Sequence, residues 1–164
     1  MKSIYNFLVV FVCLIFSTET LWSQIIITQW NFNGASTITI PGGPSSPLPY
    51  IGLGSAELIG GCTANFASGE SNGGSSDEEF MTPPNYGWNT TNYAPSGNEN
   101  KLRGIQFNVS TIDYQDISFR FDQRLSNMSN NTYVVQYTAD DTLKTPIWVD
   151  AQTFTFTPGL SVVT

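Results

Sequence analysis

The sequence runs to 164 residues, with six basic against thirteen acidic side chains, a net charge of −7 and no histidine. That length fits one domain, and the negative balance sets the chain against nucleic-acid phosphates and anionic membrane surfaces as direct partners. The missing histidine removes the commonest general base, metal ligand and pH switch together.

In chain order, the first segment stands apart from the rest. A short basic start, Met1-Lys2-Ser3, precedes the apolar run Phe7 to Phe16. A membrane-spanning helix needs roughly 20 apolar residues, so this run is too short to remain as an anchor. Basic start, apolar core and polar continuation together read as a secretory signal peptide over residues 1–23. Cleavage after Ser23 leaves Gln24 first; cleavage after Thr20 is the alternative. The mature module, 24–164, is then expected to be secreted, extracellular or at the cell surface, with no membrane insertion once the signal is removed. Cys62 is its single cysteine, so no internal disulfide supports the fold and a packed core must. In "GGCTANF" it reads as a small buried apolar side chain.

The mature segments alternate apolar and polar residues. Ile105, Phe107 and Val109 interleave with Gln106, Asn108 and Ser110, and the pattern returns at Ile117, Phe119 and Phe121, at Tyr133, Val135 and Tyr137, and at Phe154 and Phe156. Period two with aromatic and β-branched residues predicts half-buried strands. Strands are expected over 25–33, 37–40, 56–59, 63–67, 102–110, 117–125, 132–138 and 147–156. Between them, 41–49 and 68–87 are rich in Gly, Pro and Ser and read as loops. The second loop either covers a binding face or is a disordered insert. Residues 126–131 read as a polar hairpin connection. The fold class expected is all-β, an antiparallel β-sandwich of jelly-roll or galactose-binding-like type, because two half-apolar sheets bury a core when stacked. The strand-like run up to Thr164 suggests a sandwich whose last strands lie beyond it.

Motifs for catalysis are weak. "GESNG" at 69–73 matches a serine-nucleophile elbow but lies in a loop, and no histidine exists to take the proton. "GLGSAE" at 52–57 has Glu57 in place of the third glycine and precedes a strand, which makes no phosphate cradle. Asp77, Glu78 and Glu79 adjoin one another in a loop, and Asp140-Asp141 lie in a turn; neither arrangement opposes two carboxyl groups across a sugar. Calcium suits these acids better, since it takes six to eight oxygens and needs no histidine. Asn72, Asp77, Glu78 and Glu79 are therefore the candidate metal ligands, with Asp140, Asp141 and Thr142 as a weaker set. No cofactor is required.

The aromatics of "NYGWNTTNY" are the better binding candidates. Sugar rings present an apolar C–H face and a hydroxyl rim, which flat aromatics with amide partners suit. Tyr86, Trp88, Asn89 and Tyr93 form the candidate ligand site. The plainer and favoured reading is that Trp88 plugs the sandwich edge. Trp30 and Trp148 are expected in the core. The row Arg120, Asp122 and Arg124 reads as the wet face of a strand, worth about 0–1 kcal/mol per pair. Arg124 is the member most suited to a second task as a forked donor beside the loop.

The runs "QWNFNG", "AELIGGCTANFASG", "GWNTTNY", "KLRGIQFNVSTIDYQDISFRFDQRLS" and "YVVQYTADD" resemble the N-terminal jelly-roll-like modules of secreted bacterial multidomain proteins. The resemblance covers nearly all of 25–150 and implies a non-catalytic accessory module, with a nuclease, phosphoesterase or lamin-tail-like domain downstream. It carries over no catalytic residues. The function expected is an accessory module that binds an extracellular glycan or cell-surface component, or adheres to it. The alternative is a structural spacer or folding cap that binds nothing; an enzyme ranks last.

Overall fold

The computed structural model describes residues 24–69, 85–95, 97–139, 145–157 and 161–163. Within them the chain is all-β, without a helix. The strands are β1 (Ser55–Ile59), β2 (Thr63–Ser68), β3 (Tyr86–Thr91), β4 (Gly104–Asn108), β5 (Asp122–Arg124), β6 (Thr132–Tyr137), β7 (Val149–Thr155) and β8 (Ser161–Val163). They pair antiparallel in four two-stranded ladders, β1–β4, β2–β3, β5–β8 and β6–β7. The pattern is nested twice. An outer pair encloses an inner pair in the first half of the chain, and the same arrangement follows in the second.

A tight corner passes the chain from β1 to β2. Gly60 and Gly61 both hold left-handed φ, 67° and 87°, a region costly for any side chain with a Cβ. A Cβ on Gly60 would stand 2.0 Å from the carbonyl oxygen of Leu102, so only glycine fits. Cys62 follows immediately, buried and free as its sequence context suggested. Burial pushes its thiol pKa up, against the opposing pull of a Gly104 backbone hydrogen bond and the Arg103 charge.

Alternation then sorts the side chains by face. Ala56 and Phe107 are register partners, as are Phe66 and Trp88. The Trp88 and Phe107 rings meet edge-on at 6.0 Å, joining the two ladders. Trp30 packs on Phe107 at 4.8 Å, and Phe32 lies between Phe66 and Trp88. From Phe107 the rings continue through Phe119 and Phe121 to Tyr133, Phe154 and Phe156. A single line of aromatic rings therefore runs through both halves. Each such ring pair is worth about 0.5–1.5 kcal/mol beyond its buried area.

Several expected elements differ. Residues 25–33 make one isolated bridge, Gln29 with Ile51, rather than a strand. Phe32 takes a left-handed φ of 55°, which ends extension and turns its ring toward Phe66 and Trp88. Residues 37–40 form a turn, because the Thr39 hydroxyl accepts from the Ser36 amide and donates to the Ser36 carbonyl. Such local bonds compete with a ladder. Residues 86–91, the end of the expected 68–87 loop and a stretch given no strand, are β3, with all six residues in register with β2. The strand expected over 117–125 shortens to β5, preceded by left-handed turns at Asp113 and Asp116. Residues 126–131 are no hairpin, since β5 pairs with β8 and β6 with β7. They connect β5 to β6 within the second half instead, and Asn130 reaches back to the first half, donating to the Ala94 carbonyl at 3.1 Å. Trp148, expected in the core, is 41% exposed. The signal segment 1–23 lies outside the described residues.

Candidate functional site

β3 is where the sequence gathered its ligand residues, and alternation divides them. Trp88 points inward, with Phe32 at 5.8 Å and Phe107 at 6.0 Å, and its indole N–H donates to the Pro44 carbonyl at 2.7 Å. Its ring and its polar edge are both engaged, so it is no platform for a ligand. The plainer sequence reading of Trp88 as an anchor describes it correctly. Tyr86 shares that face and is half-buried; its backbone N–H donates to Asn33 Oδ1. Tyr93 lies past the end of the strand, 44% exposed, its hydroxyl 2.7 Å from Thr90 Oγ1. Burial of the rest of its ring raises the phenol pKa, while the Thr90 hydrogen bond opposes that shift.

Asn89 points the other way. On this outer face Asn89 Nδ2 donates to Asn65 Oδ1 at 2.8 Å, and the Thr63 and Thr91 hydroxyls meet at 3.0 Å. Arg124 belongs to β5 in the second half, in register with Ser161 and exposed. The five residues proposed from sequence are thus not one cluster. The candidate metal ligands Asn72, Asp77, Glu78 and Glu79, and the weaker set Asp140, Asp141 and Thr142, lie outside the described residues, as does most of "GESNG". Among the described residues no three acids or cysteines gather to hold a metal. "GLGSAE" leads into β1 as expected, and a Cβ on Gly52 would stand 2.0 Å from the Ile27 carbonyl oxygen. That glycine serves close backbone packing.

A groove replaces the expected cluster. Thr37, Ile38, Gly43, Pro44, Asn65 and Phe66 line an open depression of about 530 Å³. The volume suits a small ligand. One wall is the turn that carries Pro44, fixed by the Trp88 indole. Asn65 belongs to the lining, and its side chain is bonded to Asn89 on the neighbouring strand. Because Asn89 donates to Asn65 Oδ1, the Nδ2 of that lining residue keeps its donors for a ligand. No lining side chain carries a charge. The sequence reading named Asn89, the bonded neighbour of Asn65, but not the lining residues Asn65, Thr37 and Ile38. The signal was present: Asn65 and Asn89 sit at matched positions of two strands, but no strand was expected at β3, so no pairing was sought.

The outer face of β1–β4 carries a second polar set. Asn108 Nδ2 donates to Ser55 Oγ and to Glu57 Oε1, both at 3.0 Å, and Gln106 Nε2 donates to Asn108 Oδ1 at 2.7 Å. These groups satisfy one another and hold the register of the ladder. Compared with known families, curated proteins and solved structures, the chain matches none.

Proposed function

We propose that this protein is a secreted, non-catalytic accessory module that binds a neutral extracellular glycan through the groove between the 37–44 turn and β2, or adheres by it. The observation that carries this reading is Asn65, tied to Asn89 across the ladder, in a groove whose uncharged lining includes Ile38 and Pro44. Amide donors and acceptors match a hydroxyl rim, and the apolar wall matches a C–H face. We extend the proposal to the architecture. The corner at Gly60–Gly61 and the meeting of the Trp88 and Phe107 rings support stacked layers, an antiparallel sandwich of jelly-roll or galactose-binding-like type. The absent histidine supports a module without catalysis.

The test is a glycan array probed with the mature protein, followed by calorimetry on any hit. Substituting Asn65→Ala or Asn89→Ala is expected to weaken binding about tenfold each, the scale of one or two hydrogen bonds. Running it in calcium and in chelator separates a metal contribution of residues 72–79 from the groove itself. A blank array in both conditions leaves the spacer reading, in which the module supports a downstream domain and holds no ligand.

A further inference from the structure

Trp88 faces inward, but another tryptophan does not. Trp148 is 41% exposed, just before β7, and Tyr137 at the end of β6 is 55% exposed. Trp148 stands two residues before Asp150, the spacing that places neighbouring side chains on one face of an extended segment. Asp150 is held from both sides on that face. Its Oδ2 pairs with Lys101 Nζ at 2.5 Å, and its Oδ1 accepts from Gln136 Nε2 at 2.8 Å. Gln136 is its register partner across the ladder, while Lys101 arrives from the segment before β4. Lys101 and Asp150 are exposed and Gln136 is half-buried, so the ion pair contributes little to stability. A carboxylate held by two partners, on the face that a partly exposed indole shares by alternation, is a different matter, since its direction is already set.

We propose that Trp148 with the Lys101–Asp150–Gln136 trio is a second ligand platform, taking a neutral pyranose ring that stacks on the indole and donates hydroxyl hydrogen bonds to Asp150. The flat indole meets the C–H face of the sugar, and the carboxylate keeps lone pairs for hydroxyl donors after Lys101 and Gln136 are counted. Lys101 and Gln136 supply N–H donors to ring or hydroxyl oxygens. A net charge of −7 disfavours acidic sugars. The platform shares no residue with the groove beside Asn65, so each stands or falls alone.

The experiment titrates the mature protein with neutral hexaoses of glucose, xylose, mannose and N-acetylglucosamine, and with an acidic galacturonate hexaose. The Trp148 indole N–H resonance, assigned by its loss in Trp148→Ala, is followed by NMR. At least one neutral hexaose is expected to shift it, with the acidic one weaker. Affinity should fall about tenfold or more in Trp148→Ala and about tenfold in Asp150→Ala, recover partly in Trp148→Phe, and stay unchanged in Asn89→Ala at this site. The proposal is overturned if no neutral hexaose moves that resonance, if the affinity of a hexaose that moves it survives Trp148→Ala, or if the acidic hexaose binds more tightly.

Discussion

The two halves of the chain share one nested pairing and differ in how they are closed. In the first, Gly60 of the β1–β2 turn packs against the Leu102 carbonyl, and Ile40, Ala56, Cys62 and Phe66 are buried. In the second, Leu125 is the buried apolar residue among those described, and the rings of Tyr133, Phe154 and Phe156 stack on one another. Phe119 and Phe121 border an open cavity of about 330 Å³ with Val135 and Phe154. Nested pairing alone therefore does not make a core. A backbone turn that forces two ladders together does, and the second half has a bulge between Val135 and Gln136 where the first has a regular register.

The strongest way to break this contrast is at the corner. Gly60→Ala adds a Cβ into the Leu102 carbonyl at a left-handed φ, and is expected to cost about 3 kcal/mol or more in urea unfolding. Gly61→Ala meets no atom within 4 Å and should cost about 1–2 kcal/mol from its φ alone. Equal losses would show that the close approach at Leu102 does not close the first half. Cys62 offers a second readout. Its buried thiol should react slowly with a disulfide reagent in the native protein and much faster in Gly60→Ala.

Truncating matched rings comes next in size. Phe66→Ala removes a side chain that is 8% exposed and should cost about 3 kcal/mol, whereas Phe119→Ala, 61% exposed, should cost about 1 kcal/mol or less. A comparable loss at Phe119 would mean that the second half is as tightly closed as the first. Trp88→Phe keeps a ring against Phe107 but loses the bond to the Pro44 carbonyl. It should cost about 1 kcal/mol and loosen the groove wall, weakening any groove ligand more than it weakens the fold.

How much of this was legible in the sequence depends on what set each element. Strands with apolar residues at every second position, such as β4 and β6, were found close to their bounds, because burial on one face drives both pattern and structure. β3 was missed because Gly87, Asn89 and the threonines resemble a loop; pairing with β2, not propensity, makes it a strand. Residues 25–33 misled in the opposite sense. Trp30 and Phe32 do reach the core, but from an irregular segment whose backbone turns at Phe32. Trp148 alternates like a core residue, and alternation names the two faces without saying which one is covered. The amide pair of the groove depends on β2–β3 register, which no local pattern encodes.

The smallest expected effect bears on the outer face of the second half. Asp150 has its carboxyl pKa lowered, first by the Lys101 hydrogen bond and then by Gln136. A carboxylate whose folded value lies below its unfolded one stabilises the fold above the unfolded value and loses that contribution as pH falls through the folded value. Asp150 is exposed to solvent, so the change in stability should be slight and screened by salt. The sensitive readout is the titration of its side-chain carboxyl carbon by NMR. Lys101→Met should raise the midpoint toward the ordinary aspartate range at low salt, and high salt should narrow the difference between the two proteins. An unchanged midpoint in Lys101→Met would mean that Gln136 alone orients the carboxylate. Trp148 would then face an acid aimed by its own ladder, with no part played by the segment before β4.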